Sequence, residues 1–205
     1  MKQITLLALP ILFAAPFLFT DRDTDTTANI LVPTAIVKPA TYQIDPSHSW
    51  ILFKVKHLNI GTAWGSFGSF QGSFALDAEK PSESSVTLTI EADSVSTNNK
   101  KRDDHLKGPD FFNAREFPSI LFESTGVKGK ADDFEITGTI ELLGKKKEIS
   151  VPMHKVGEGE DPWGNHRAGF EGSFTVNRHD FGMDFMKDGL GAEVTLTLAF
   201  EGTRE

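Results

Sequence analysis

The chain has 205 residues, with 21 Lys and Arg against 29 Asp and Glu, a formal net charge of -8 and 39% apolar residues. This length and balance specify one soluble globular domain rather than a disordered acidic chain, and they leave no basic face for a phosphate backbone, so no nucleic-acid partner is expected. The absence of cysteine excludes disulfides, thiolate metal sites, iron–sulfur clusters, a cysteine nucleophile and acylation of an N-terminal lipoprotein cysteine.

Met1 and Lys2 give a short positive start, and Ile4 to Phe19 form an uncharged, mostly apolar run broken by Pro10 and Pro16. Residues 1–20 read as an export signal, because a spanning helix needs about 20 apolar residues without internal prolines. An uncleaved segment acting as an anchor is the alternative. Residues 21–40, first Asp/Thr-rich and then Val/Pro-rich, read as a linker. The folded domain is expected over 41–205.

From Tyr42 onward the dominant signal is a period of two, the mark of strands with one apolar face. In 84–93, Val86, Leu88, Ile90 and Ala92 alternate with Thr87, Thr89 and Glu91. In 190–200, Leu190, Ala192, Val194, Leu196, Leu198 and Phe200 alternate with Gly191, Glu193, Thr195 and Thr197. Noisier alternation marks 50–57, 66–77, 119–127, 133–142, 147–155 and 167–178, eight strands in all. A hairpin is expected to turn through Gly144 and Lys145 to Lys147, with the basic run as its solvated turn. Helix is confined to one or two short turns within 99–116.

Eight alternating strands joined mostly by short turns fit an all-β sandwich or an up-and-down barrel, and because closure removes exposed edges an eight-stranded antiparallel barrel is expected. Such a barrel is just wide enough to be filled by side chains or to hold one small ligand. The 17 Phe against 3 Trp and 1 Tyr make its interior apolar with few polar demands. Phe70-Gln71-Gly72-Ser73-Phe74 recurs as Phe170-Glu171-Gly172-Ser173-Phe174, and Gly138 lies between Ile136 and Ile140. Inward glycines between large residues can mean space kept open, or bulges and corners that Phe fills; the pattern by itself fits both.

Catalytic chemistry is not visible. The histidines at 48, 57, 105, 154, 166 and 179 show no paired metal-ligand spacing, so neither metal nor cofactor is expected. Ser47-His48-Ser49 cannot form a triad on one strand, because adjacent side chains point to opposite faces. Asp180-Phe181-Gly182 lacks the other elements of a kinase. Asp103-Asp104-His105 reads as a charged surface turn, and Asp132-Asp133 and Glu158 to Asp161 as polar loops.

Several segments in order carry a resemblance. They are Tyr42-Gln43-Ile44-Asp45 leading into His48-Ser49, Phe53-x-Val55-x-His57-Leu58, Gly65-x-Phe67 and Phe70-x-Gly72. Next come Arg102-Asp103-Asp104-His105-Leu106, Asp110-Phe111-Phe112-Asn113, Phe117-Pro118 and Phe122-x-Ser124-Thr125. The series ends with Gly138-x-Ile140-x-Leu142-x-Gly144, Ala168-Gly169-Phe170 and Arg178-x-Asp180-Phe181-Gly182. Together they resemble the YceI-like family of bacterial polyisoprenoid-binding, lipocalin-like proteins. The resemblance implies a barrel with an open apolar tunnel for a long isoprenoid or fatty chain, and an exported protein. With the inward registers above, it places Phe53, Val55, His57, Phe70, Phe74, Val86, Leu88, Ile90, Phe122, Ile136, Phe170 and Phe174 as ligand-binding candidates. His48, Arg102, Asp103, His105, Arg178 and Asp180 are candidates for holding a headgroup or bracing loops, with Arg178 and Asp180 expected to brace on one strand face.

The expectation is therefore a non-enzymatic carrier, scavenger or sensor of a polyprenyl or quinone-type lipid, periplasmic or secreted. The lipid is its ligand rather than a cofactor, and a membrane enters only as the lipid's source or through an uncleaved N-terminus. A homodimer is left open. The alternatives are a small-barrel enzyme acting on a lipid through His57, His105 or Asp180, and a tethered structural module.

Overall fold

Alternation becomes strand wherever its apolar face can be buried. The computed structural model describes residues 39–77 and 79–205, so the expected export signal and nearly all of the expected linker lie outside the described residues. The strands are β1 (Ala40–Ile44), β2 (Trp50–His57), β3 (Gly61–Phe67), β4 (Phe70–Leu76), β5 (Ser85–Glu91), β6 (Val95–Ser96), β7 (Ser119–Lys130), β8 (Asp133–Leu142), β9 (Lys145–Glu160), β10 (His166–Asn177) and β11 (Leu190–Arg204). Helix α1 (Lys100–Leu106) is capped by Asn99, whose side chain accepts from the Arg102 N–H at 3.1 Å.

All neighbouring strands are antiparallel, and the ring β1-β4-β5-β7-β8-β9-β10-β11 closes through β1 and β11. The eleven segments occupy eight positions around the barrel. β11 pairs with β1 through Gly202–Arg204 and with β2 through Val194–Ala199, so β1 and β2 share one position, interrupted at 45–49. β3 and β4 share the next, broken at Gly68 and Ser69, and β5 and β6 the third. The expected count of eight is thus correct for positions around the ring. β1 and most of β3 escaped it: β1 has only five residues, and in β3 Gly61, Thr62, Ala63 and Gly65 carry no alternation.

The Lys145–Lys147 run is not the turn. Leu143 and Gly144 make the turn alone, both with positive φ (53° and 69°), and the three lysines begin β9 with their side chains exposed. β9 also runs on to Glu160, so Glu158 lies on a strand rather than in a loop.

Pairing register orients the barrel. His57, Gly61 and Leu190 meet at one end, called upper here, with the 178–189 loop and, beyond β6, the segment containing α1. Ala40, Leu76, Lys130 and the 161–165 turn lie at the lower end. The inward glycines are not gaps: at Gly72 and Gly172 the backbone carbonyls of Thr87 and Pro152 stand where a Cβ would be, so close strand approach rather than a Phe ring fills those two places. The ring tip of Phe53 occupies the place of a Cβ on Gly65, its cross-strand partner, and the Phe122 ring does the same over Gly138. A ring seated over a wall glycine thickens the wall instead of filling the lumen, so the Phe-filled reading holds at these positions while the barrel still stays open.

Candidate functional site

Inward residues from every position around the ring enclose a continuous cavity of about 210 Å³, counted as space open to the centres of water-sized molecules. A water needs about 10–15 Å³ on that measure, so the space holds on the order of fifteen such spheres and is far larger than a packing defect. Apart from Ser84 and Arg178 its lining is wholly apolar. Nothing there would hold a column of ordered water, which needs several polar partners per molecule, whereas a hydrocarbon chain needs none.

Ten of the twelve expected lining residues border this cavity: Phe53, Val55, Phe74, Val86, Leu88, Ile90, Phe122, Ile136, Phe170 and Phe174. Two do not. Phe70 is buried with its ring edge-on to Phe200 at 6.1 Å, behind that wall residue, and does not itself border the cavity. Periodicity marks a packed interior and a tunnel wall alike. His57 shares the face of Phe53 and Val55 yet, as the last residue of β2, is exposed and does not border the cavity. Sequence reasoning left out wall residues contributed by the cap, namely Leu106, Phe111, Phe112, Phe181 and Met183. Phe111 and Phe112 are adjacent in a turn and carry no periodic signal. Leu196, Leu198 and Phe200 also border the cavity, and the period of two in 190–200 had already put them on one face.

The polar candidates separate into braces. Arg178 is 2% exposed and sits in the 3₁₀ turn Arg178–Phe181, not on a strand. Its guanidinium donates to backbone carbonyls only: Nε to Gly191 at 2.8 Å, Nη1 to Met183 and Phe185 at 2.6 and 2.9 Å, and Nη2 to Leu190 at 2.9 Å. The expected pairing with Asp180 does not occur; Asp180 is exposed. Burial lowers the proton affinity of Arg178, partly offset by Asp184. Arg102 donates to the Thr97 hydroxyl and carbonyl at 2.7 and 2.8 Å, and the Asp103 carboxylate accepts the Thr97 N–H at 2.7 Å, fixing α1 to the end of β6. Burial opposes ionisation of the Asp103 carboxyl, and the bonds it accepts from the Thr97 hydroxyl and N–H and from the Asn99 N–H outweigh that effect and hold it below the usual range.

His105 pairs with Asp110 at 2.8 Å and packs edge-on to Phe111 and Phe185. His48 is exposed and pairs with Asp45 at 2.8 Å. None of His48, His57, Arg102, Asp103, His105 or Asp180 borders the cavity; among the described residues Arg178 is the one titratable side chain in its wall.

Charge concentrates instead toward the lower end. Arg167 reaches Asp45 and Glu201 through Nη1 at 2.9 and 2.6 Å and Asp161 through Nε at 2.8 Å. Hydrogen bonds from Ser47, His48 and Arg167 hold the Asp45 carboxyl well below the usual carboxylate range, and those from Asn165 and Arg167 do the same for Asp161. Asp45, His48 and Glu201 also converge in a way that could attract a cation, but the Arg167 guanidinium already sits on both carboxylates. Tyr42, fully buried, stacks on Phe74 at 4.9 Å and donates to Glu158 at 2.7 Å. Burial and the adjacent carboxylate push its phenol up to about 12.

Residues 42–202 match the family described as YceI-like domain. A UPF0312 protein of Pseudomonas aeruginosa is 42% identical over 168 residues, covering 81% of this chain and 88% of that protein. Among solved structures, BcnA of Burkholderia cenocepacia superposes with a TM-score of 0.69 at 22% identity, over 77% of this chain and 98% of BcnA. A polyisoprenoid binding domain from Saccharophagus degradans superposes with a TM-score of 0.61 at 13% identity, over 82% of this chain and all of that domain. At such identities the two structures share the fold.

Proposed function

The chain belongs to the YceI-like family, and on that premise we propose that it binds one long-chain amphiphilic lipid of polyprenyl or quinone type inside its barrel, as a carrier, scavenger or sensor exported to the periplasm or beyond. The observation that carries this reading is the cavity itself, continuous and apolar in nearly all of its wall. The shared fold with a polyisoprenoid binding domain supports the ligand class, and the apolar run at 4–19 supports export. Energetics favour a chain-like ligand. Each buried methylene contributes about 0.8 kcal/mol, so a five-carbon prenyl unit contributes about 4 kcal/mol. Three units give about 12 kcal/mol gross, enough to exceed the lower estimates of the association cost, ~4 kcal/mol.

The test is solvent extraction and mass spectrometry of protein purified gently from its own host, with titration of the Ile136→Trp variant, whose indole would project into the lumen. A bound lipid is expected, with ligand affinity falling at least about tenfold in the variant while the fold is kept. A lipid-free protein that also ignores prenyl alcohols and quinones would overturn the reading.

A further inference from the structure

Two loops at the upper end hold bulky apolar residues in a backbone conformation that does not suit them. At the β2–β3 tip Leu58 and Asn59 have φ of 53° and 54°, and in the 182–189 loop Met186 has φ of 56°. The left-handed region is accessible to Gly, Asn and Asp, and for Leu or Met it is strained. Both residues are exposed, Leu58 at 47% and Met186 at 41%, and so are Phe185 beside Met186 at 40% and Ile60 at 88%.

The two loops form one surface. The Leu58 N–H donates to the Gly189 carbonyl at 2.7 Å, and the side chains of Leu58 and Met186 both close over Gly189. This surface continues the wall of the cavity, since Phe185 packs against Phe111 at 5.3 Å and Leu190 pairs with His57. Lys56, Asn59, Lys187 and Asp188 line a small polar cleft between the loops, and Lys187 reaches Asp184 at 3.3 Å. Around this cleft Lys56 and Lys187 are matched by Asp184 and Asp188.

We infer that this rim docks on a phospholipid bilayer, placing Leu58, Ile60, Phe185 and Met186 among the acyl chains beside the upper end of the cavity. The inference rests on the lipid-binding reading, because a cargo that is insoluble in water must be collected from or delivered to a bilayer. The apolar side chains stand on separate loop tips, which suits shallow insertion, while the long stems of Lys56 and Lys187 keep their ammonium groups at headgroup level. With each lysine of the cleft matched by an aspartate, apolar insertion is the driving force rather than attraction to anionic lipid.

The experiment is co-sedimentation with phosphatidylcholine vesicles, using the full chain and the barrel unit Val37–Glu205, whose sheet closes on itself. The variants are Ile60→Asp and the pair Leu58→Asn with Met186→Asn. The barrel unit should bind vesicles with little dependence on salt, and each variant should lose about tenfold or more in partitioning. The paired variant should also melt at a higher temperature, since Asn tolerates the left-handed backbone; a loss of binding with a gain of stability cannot come from misfolding.

Uptake of the apolar fluorophore N-phenyl-1-naphthylamine into the cavity should be unchanged in all variants. Failure of the barrel unit to bind, binding by the full chain alone, binding abolished by salt, or variants that bind as wild type would each overturn the inference. So would a wild-type dimer that Ile60→Asp dissolves, which assigns the rim to a second copy. If the wild type takes up neither the fluorophore nor prenyl alcohols and quinones, the lipid-binding reading fails; uptake without vesicle binding overturns the docking inference only.

Discussion

Arg178 shows how one side chain can organise an end of a barrel without a charged partner. Its four hydrogen bonds gather the carbonyls of Met183, Phe185, Leu190 and Gly191, so the loop between the 3₁₀ turn and β11 is pinned from within. Each buried carbonyl left without a donor costs about 1–3 kcal/mol. Arg178→Met is therefore expected to destabilise the protein by about 3–5 kcal/mol in urea denaturation, with some carbonyls recovering water. Arg178→Lys should restore less than half of the loss, because an ammonium on a single stem cannot span the four acceptors. A loss below about 1 kcal/mol for the methionine variant would show that the loop holds itself. Sequence exposed the residue but not its role: Arg178 and Asp180 stand two apart, the spacing of one strand face, and the turn that begins at Arg178 removes that relationship.

Among the elements, the joint between β1 and β2 depends most on charge. The chain leaves the sheet at Asp45 and re-enters at Trp50, and Arg167 on β10 ties this detour to β11 and to the 161–165 turn through Asp45, Glu201 and Asp161. The Asp45 and Asp161 carboxyls titrate lower in the folded protein than the usual 3.8, so their contribution to stability is present above that pH and is lost as pH falls toward their folded values. The thermal midpoint should thus fall on acidification below about pH 4, and more gently in Arg167→Met, whose folded carboxyls lie nearer their unfolded values. Parallel curves for the two proteins would place the acid sensitivity elsewhere. Alternation could not reveal this detour, since it spans only five residues and its partners lie more than a hundred positions away in sequence.

For the whole molecule, closure creates a cavity that no single strand contains. A ligand that binds only the folded barrel stabilises it by RT ln(1 + [L]/Kd), about 2.7 kcal/mol at a hundredfold excess over Kd. For a domain of this size that raises the thermal midpoint by about 5–10 °C. Adding a long-chain prenyl alcohol to delipidated protein should produce that rise, and delipidated Ile136→Trp should show little of it. An unchanged midpoint in the wild type would mean that the cavity does not take such chains.

The sequence by itself determined most of the strands and the faces they bury, and with its family resemblance it pointed to the closed barrel of eight positions and to ten of the twelve expected wall residues. It could do so because a period of two is local: burial on one side of a strand leaves its mark on neighbouring residues whatever the rest of the chain does. Only the tertiary structure decided whether the interior is open, because Phe53 over Gly65 and Phe122 over Gly138 show that wall volume is set by which ring lies on which glycine of another strand. It likewise decided that Phe70 is buried behind Phe200 without bordering the cavity, that His57 is exposed at the end of β2, and that Phe111, Phe112, Phe181 and Met183 cap the cavity. Those outcomes depend on contacts between distant segments and on where a strand ends relative to the barrel, and neither quantity has a period that a single sequence can display.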